Sequence, residues 1–263
     1  MNELALFAGA GGGLLGSRLL DWRTVCAVEI DKYCQRVLLQ RQRDGHLVRF
    51  PIWDDVRTFD GNEWCGRVDV VTAGFPCPAF SQARGGKNPD PWANTKNMWP
   101  HTFRIINEVK PAWCLLENVP GLLSGSHGYF GKVLRDMAKG GFSIAWDVLS
   151  AADEGADHIR DRLWILGYSN SNCEPDVSVN DEASRLPVAS ANTSSDCSHK
   201  YIRPHRVEEE IQGARNYWEV EPRLARVANG VADFMDRSKA IGNGQVPAVV
   251  VRAWQELSKQ VSN

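Results

Sequence analysis

The sequence has no Cys-x-x-Cys pair, no internal repeat, no excess of positive charge, and no apolar run approaching the roughly 18–20 residues a membrane span requires. Each absence excludes something. The seven cysteines (Cys26, Cys34, Cys65, Cys77, Cys114, Cys173 and Cys197) are an odd number in a chain long enough to build a core without staples. Neither a structural zinc site nor a disulfide framework is indicated. The first residues, Met1-Asn2-Glu3-Leu4-Ala5-Leu6-Phe7, lack a basic start and run straight into glycines, so they read as a first strand and not as a leader. The expectation is a cytoplasmic protein with no membrane association. A net charge of −2 and a pI of about 6.3 weigh against affinity for nucleic acid built mainly on counterion release. A few locally placed cations remain compatible with that balance.

What is present is alternation. Leu4 to Phe7, Thr24 to Glu29, Val68 to Ala73, Trp113 to Leu116, Ser143 to Leu149 and Leu163 to Gly167 are short apolar runs of strand length. Between them lie helical patterns. Asp31 precedes Cys34, Val37 and Leu38 at helical spacing, and Phe130, Val133, Leu134 and Met137 mark a second amphipathic face. Strands alternating with helices predict a mostly parallel, doubly wound α/β sheet covered on both faces. The texture changes after Tyr168: residues 169–196 are rich in Ser, Asn and Asp, with little apolar periodicity. The segment Ile241-Gly242-Asn243-Gly244-Gln245-Val246-Pro247 is expected to open a final helix ending near Leu257.

Several segments carry chemistry at the carboxyl ends of these strands. Gly9-Ala10-Gly11-Gly12-Gly13-Leu14-Leu15-Gly16 joins a strand to a helix, where absent side chains let a ligand approach backbone N–H groups. Glu29, about 20 residues on, is placed to hold ribose hydroxyls. Together they indicate an adenosine-type cofactor, a dinucleotide included. Asp54-Asp55-Val56 stands at the same edge, where a carboxylate can accept from an adenine amino group. In Gly74-Phe75-Pro76-Cys77-Pro78, two prolines restrain the thiol stiffly just past a strand end, a restraint no core cysteine needs. The polar, glycine-rich stretch from Gln82 to Lys87 suits a closing loop. Glu117-Asn118-Val119-Pro120 brings a carboxyl group to the same edge, fit to act as an acid or to bond a base. Strand periodicity would put His158, Arg160 and Arg162 on one face, as a site for an anion or a polar base edge.

In this order, the motifs resemble those of the cytosine-5 DNA methyltransferases over residues 4–168 and about 223–252. Leu6-Phe7-Ala8-Gly9-Ala10-Gly11-Gly12 is similar to that family's glycine loop, and Pro76-Cys77-Pro78 with Phe80-Ser81 to its nucleophile motif. Glu117-Asn118-Val119 resembles its catalytic glutamate motif, Arg160 and Arg162 its arginine pair, and Gly242-Asn243 its late motif. Two positions depart: His158 stands where the family usually has Gln, and Ala5 where it usually has Asp.

The resemblance implies a Rossmann-like catalytic domain dependent on S-adenosylmethionine, made of residues 1–168 and 223–263, with a small target-recognition region at 169–222. It implies that Phe7, Gly9, Gly11, Glu29, Ile30, Asp55, Val56, Pro76 and Asn243 hold S-adenosylmethionine, with no metal. Cys77, Glu117, Arg160 and Arg162 are then the catalytic set. The Cys77 thiolate adds to carbon 6 of a flipped-out cytosine, making carbon 5 nucleophilic enough to take the methyl group. Glu117 holds ring nitrogen 3 in its protonated form, while the arginines fix the pyrimidine oxygen and order the Cys77 loop. Double-stranded DNA is the implied partner, met by a monomer, in restriction-modification or other self-DNA protection. Arg203, Arg206 and Arg215 can touch phosphates from the short recognition region, but Glu208-Glu209-Glu210 interrupt them. Three other readings stay open on sequence alone. They are a transfer-RNA cytosine methyltransferase, a dinucleotide-dependent oxidoreductase, and a catalytically silent DNA-binding protein.

Overall fold

Strands form where the β-branched and apolar runs lie. In a computed structural model, which describes residues 1–76, 97–124, 128–169 and 231–261, these runs become β1 (Asn2–Leu6), β2 (Arg23–Val28), β4 (Val70–Gly74) and β5 (Trp113–Asn118). A two-residue β3 (Ile52–Trp53) lies at one edge, and β6 (Phe142–Ser150) and β7 (Asp161–Ser169) complete the sheet at the other. The strand order is β3-β2-β1-β4-β5-β7-β6; β7 is antiparallel to both its neighbours, and the pairs among β1 to β5 are parallel. The expected doubly wound sheet is present. Its order reverses between β1 and β4, and at such a switch point the carboxyl ends part to leave a crevice.

Alternation along each strand sorts the core into two layers. Leu4, Leu6, Val71, Ala73, Cys114 and Leu116 pack beneath α3 (Trp99–Val109) and α5 (Tyr129–Lys139), whose Ile105, Ile106, Val133 and Met137 are fully buried. On the other face Val70, Leu115, Trp164 and Leu166 meet Val249, Val250, Trp254 and Leu257 of α7 (Pro247–Val261). Beside them α1 (Gly12–Leu19) and α2 (Lys32–Arg43) bury Leu14 and Leu38 against Ala5 and Ala27. Asp31 caps α2 as expected, accepting from the backbone N–H groups of Tyr33 and Cys34. A short α4 (Gly121–Ser124) follows β5.

Two expectations fail. The segment at Ile241 does not open the last helix. It ends α6 (Val231–Asn243), and α7 begins at Pro247 after a break at Gly244-Gln245-Val246. Proline starts a helix readily because the N–H it lacks would go unpaired there anyway. Likewise His158 and Arg160 are not strand residues, since β7 starts only at Asp161. The alternation that would align them with Arg162 therefore does not apply. The recognition region at 169–222 falls, apart from Ser169, outside the described residues.

Candidate active site

The crevice is built first from the turn that leaves β1. Phe7, Gly9 and Gly11 all take positive φ, at 55°, 56° and 95°. For phenylalanine that conformation is strained and is held only where the surroundings over-determine it. Glu29, at the end of β2, supplies the restraint. Its Oε2 accepts from the Gly9 N–H at 2.6 Å and its Oε1 from the Asp31 N–H at 2.7 Å. Burial pushes this carboxyl above its ordinary range, and the two backbone donors oppose that rise. Each oxygen keeps a lone pair, so the group can still accept from two vicinal hydroxyls. A Cβ at Gly9 would meet nothing within 4 Å, so the loop opens onto free space there. This cradle fits an adenosine-type cofactor.

The glycines that follow do something else. A Cβ on Gly12 would stand 2.2 Å from the Gln245 carbonyl oxygen, and one on Gly13 2.3 Å from Gln245 Oε1. On Gly16 it would stand 2.6 Å from Val250 Cβ. These three positions are bare so that the α6–α7 link and α7 can close against α1. Gly11 caps α1, and its missing Cβ faces Leu38 in the core, 3.0 Å away.

The remaining expected cofactor residues divide. Asn243, at the end of α6, lines the crevice with Phe7 and Gly9. Ile30 is 60 % exposed beside Glu29. The Asp55 carboxylate is engaged by the Arg57 guanidinium through contacts of 2.6–3.0 Å, and that bond holds it below the usual carboxylate range. Val56 is buried in the core, its carbonyl accepting from Arg104 at 2.9 Å. Neither Asp55 nor Val56 lines the crevice.

The approach to the expected nucleophile is firmly held. Phe75 is buried against Trp99, and its carbonyl accepts from the Asn118 side chain at 3.0 Å. Pro76 is exposed at the end of the described segment. Cys77 itself lies outside the described residues, as do Pro78, Phe80, Ser81 and the loop at 82–87.

Glu117 stands at the end of β5, level with Gly74 of β4. Arg162 Nε donates to its Oε1 at 2.9 Å, and Gln245 Nε2 approaches its Oε2 at 3.5 Å. Burial drives the Glu117 carboxyl up, against the opposing pull of Arg162, Gln245 and Arg160. The result is a carboxyl group disposed to keep a proton. Arg160 goes elsewhere: its guanidinium donates to the carbonyls of Gly242, at 3.0 Å, and Gly244, at 2.6 Å. The two arginines thus serve one site from different directions, one on the acid and one on the link between α6 and α7.

One crevice joins these parts. It is lined by Phe7, Gly9 and Gly13 of the loop, Thr72 and Gly74 of β4, Glu117, and Asn243 to Gln245. Thr72 and Gln245 were not legible as site residues. Gln245 lies two positions beyond an expected one, and nothing in its local sequence says that three distant glycines make room for it.

The family of C-5 cytosine-specific DNA methylases matches over residues 1–263. The type II methyltransferase M.NgoMIV of Neisseria gonorrhoeae is 32 % identical over 171 residues, which are 64 % of this chain and 52 % of that protein. M.BsuFI of Bacillus subtilis is 32 % identical over 182 residues, 69 % of this chain and 41 % of its own length. The chain spans about half the length of the curated relatives it matches. Among solved structures, an Escherichia coli prophage protein described as a DNA modification methyltransferase superposes with a TM-score of 0.51 at 26 % identity, over 64 % of this chain and 47 % of that one. A Spodoptera frugiperda DNMT2 variant shares the fold at a TM-score of 0.51 and 17 % identity, over 97 % of this chain and 83 % of its own. With the loop, the acid and the arginine pair set around one crevice and the family matched from end to end, the chain belongs to the C-5 cytosine-specific DNA methylases.

Proposed function

We propose that the chain is a DNA (cytosine-5-)-methyltransferase that uses S-adenosylmethionine and acts in restriction-modification, as the type II names of its relatives suggest. One observation carries the reading: the cofactor loop and Glu117 open into the same crevice, so donor and acceptor can meet without passing through solvent. S-adenosylmethionine, when bound, supplies a methyl group activated on a sulfonium. Phe7, Gly9, Glu29 and Asn243 would hold it, with Glu29 on the ribose.

The rest belongs to the chain's own side chains. Cys77, presented by the anchored Phe75-Pro76 segment, adds to carbon 6 of the flipped cytosine. Glu117, whose carboxyl burial pushes toward its protonated form, donates to ring nitrogen 3 and draws electron density from the ring during that addition. Arg162 orients Glu117. Arg160 holds the α6–α7 link that closes the crevice. Elimination then removes the carbon 5 proton and frees the thiol. Double-stranded DNA as substrate, and residues 169–222 as the region that reads it, complete the proposal.

The test is bisulfite sequencing of plasmid DNA from cells expressing the wild type or Cys77→Ser. Protected cytosines at one short recurrent site, present only with the wild type, are expected. Equal protection from both proteins would overturn the nucleophile, and protection from neither would overturn DNA as the acceptor.

A further inference from the structure

Gln245 is enclosed by three glycines from two distant parts of the sequence. Its backbone carbonyl lies where a Cβ of Gly12 would stand, and its side-chain oxygen where a Cβ of Gly13 would stand, at 2.2 and 2.3 Å. Its amide nitrogen lies 3.1 Å from the corresponding point on Gly74, with Glu117 Oε2 at 3.0 Å from that point. A methyl group at Gly12 or Gly13 would force the Gln245 backbone or side chain out, and one at Gly74 would crowd its amide and Glu117. Arg160 grips two carbonyls just before Gln245 in sequence, those of Gly242 and Gly244. The main chain at Gln245 is therefore held by Arg160 just before it and packed against Gly12, and the residue lines the crevice.

That amide has two unlike ends, and they face two unlike parts of the site. Its oxygen is turned to the glycine loop, its N–H donors to Glu117. Each oxygen of Glu117 then has a separate donor from a separate segment: Arg162 Nε at Oε1, 2.9 Å away, and Gln245 Nε2 at Oε2, 3.5 Å away. The second contact is long, at the limit of a hydrogen bond, and tightens with a shift of a few tenths of an ångström. A carboxyl group held at one oxygen still pivots about that contact. Held at both, it keeps one plane.

We infer that Gln245 is a positioning residue for Glu117, bridging the cofactor loop to the acid so that the carboxyl group takes its reacting orientation when the loop is seated. The inference rests on the proposed role of Glu117. It gives the α6–α7 link a part in proton placement beyond closing the crevice. It also accounts for the bare positions at Gly12, Gly13 and Gly74 together, since all three yield space to one residue, Gly12 to its backbone and the other two to its side chain. Among the described residues, the charged groups acting on Glu117 are Arg162 and Arg160. Both are retained in the variants that test the idea.

The experiment follows the side-chain carboxyl of Glu117 by carbon-13 NMR in uniformly labelled protein, assigned by its loss from Glu117→Gln. Gln245→Met keeps the length of the side chain and removes the donor, so the Glu117 titration should move upward. Gln245→Glu places a second carboxylate nearby and should move it further in the same direction, because a like charge disfavours ionisation. In steady-state methylation Gln245→Met should lower kcat about tenfold, the scale of a modest misplacement of a reacting group, with KM for S-adenosylmethionine nearly unchanged. An unmoved Glu117 titration in Gln245→Met would overturn the inference, as would a rise in KM alone. The titration needs no turnover, so it decides the matter even if the wild type proves inactive on DNA. If Gln245→Glu fails to fold, as judged by thermal unfolding, Gln245→Met carries the test alone.

Discussion

Two buried carboxyl groups lie on the same face of the sheet, and only one of them lines the crevice. Glu3, on β1, is fully buried at the amino end of the switch point; Glu117, on β5, is nearly so at the carboxyl end. Burial pushes both above the ordinary carboxylate range. Their partners differ. Glu3 accepts from three hydroxyls, those of Ser17 and Thr72 at 2.7 Å and of Thr24 at 2.8 Å. These neutral groups tie α1, β2 and β4 to β1 and leave nothing facing open space. Glu117 instead meets a guanidinium and an amide across an open crevice, where a substrate can replace water. A perturbed carboxyl group is therefore no marker of function by itself; what surrounds it and what it can reach decide.

The comparison can be broken most sharply by exchanging each group for its amide. Glu117→Gln should lower the methylation rate by about a hundredfold or more, as removal of a positioned proton donor does. Glu3→Gln should leave the rate within about threefold, because the methyl donor and the base are both out of its reach. A large loss from Glu3→Gln, read in a tritiated-methyl transfer assay, would erase the distinction.

Stability should rank the two the other way. Glu3→Ala leaves three buried hydroxyls without an acceptor and a void beneath α1, a cost of about 3 kcal/mol in urea unfolding. The same assay sharpens the argument through pH. With its folded-state pKa above 4.5, Glu3 contributes stability that is fully present below that value and is lost as pH rises through the folded pKa. Glu3→Gln should flatten that decline, so the gap between variant and wild type should change in the variant's favour above pH 4.5. An unchanged slope would mean that Glu3 titrates as an ordinary exposed acid.

The smallest effect belongs to a third carboxylate, Asp31, whose partner is an exposed lysine. Lys239 donates to it at 2.6 Å, joining α6 to the start of α2, but 63 % of the lysine side chain is accessible. Lys239→Met should cost no more than about 0.5 kcal/mol, since solvent screens such pairs. Salt should abolish even that difference.

How much of this was legible in the sequence follows the range of the interactions involved. β1, β2, β4 and β5 could be read because a buried parallel strand is written locally, as a run of apolar residues. The Asp31 cap and the face of α5 were readable for the same reason. Glu29, Glu117 and Asn243 could be placed because strand and helix ends on one sheet edge must converge. The glycines were misjudged in part. Gly9 opens onto free space, but Gly12, Gly13 and Gly16 are bare for Gln245 and Val250, and no local pattern names a partner so far away. The partners of Arg160 are hidden for a similar reason: the carbonyls it grips belong to a link whose helix break has no clear local signal. Asp55 is a sequence neighbour of Arg57, and that pairing at two residues' spacing could have been weighed.

The packing of α1 against α7 has a consequence for synthesis. Gly16 and Val250 are in contact but come from opposite ends of the sequence, and Gln245 reaches the glycine loop across the same distance. On the ribosome the first strand and its loop emerge long before the helix that must cover them. Until then α1 shows the apolar stripe that α7 will bury, and Glu117 has no amide beside it. The nascent protein can pair its strands as they appear, but its crevice is completed only once α7 has emerged. Destabilising substitutions in α7 should therefore reduce soluble yield in cells more than their cost in the finished protein would suggest.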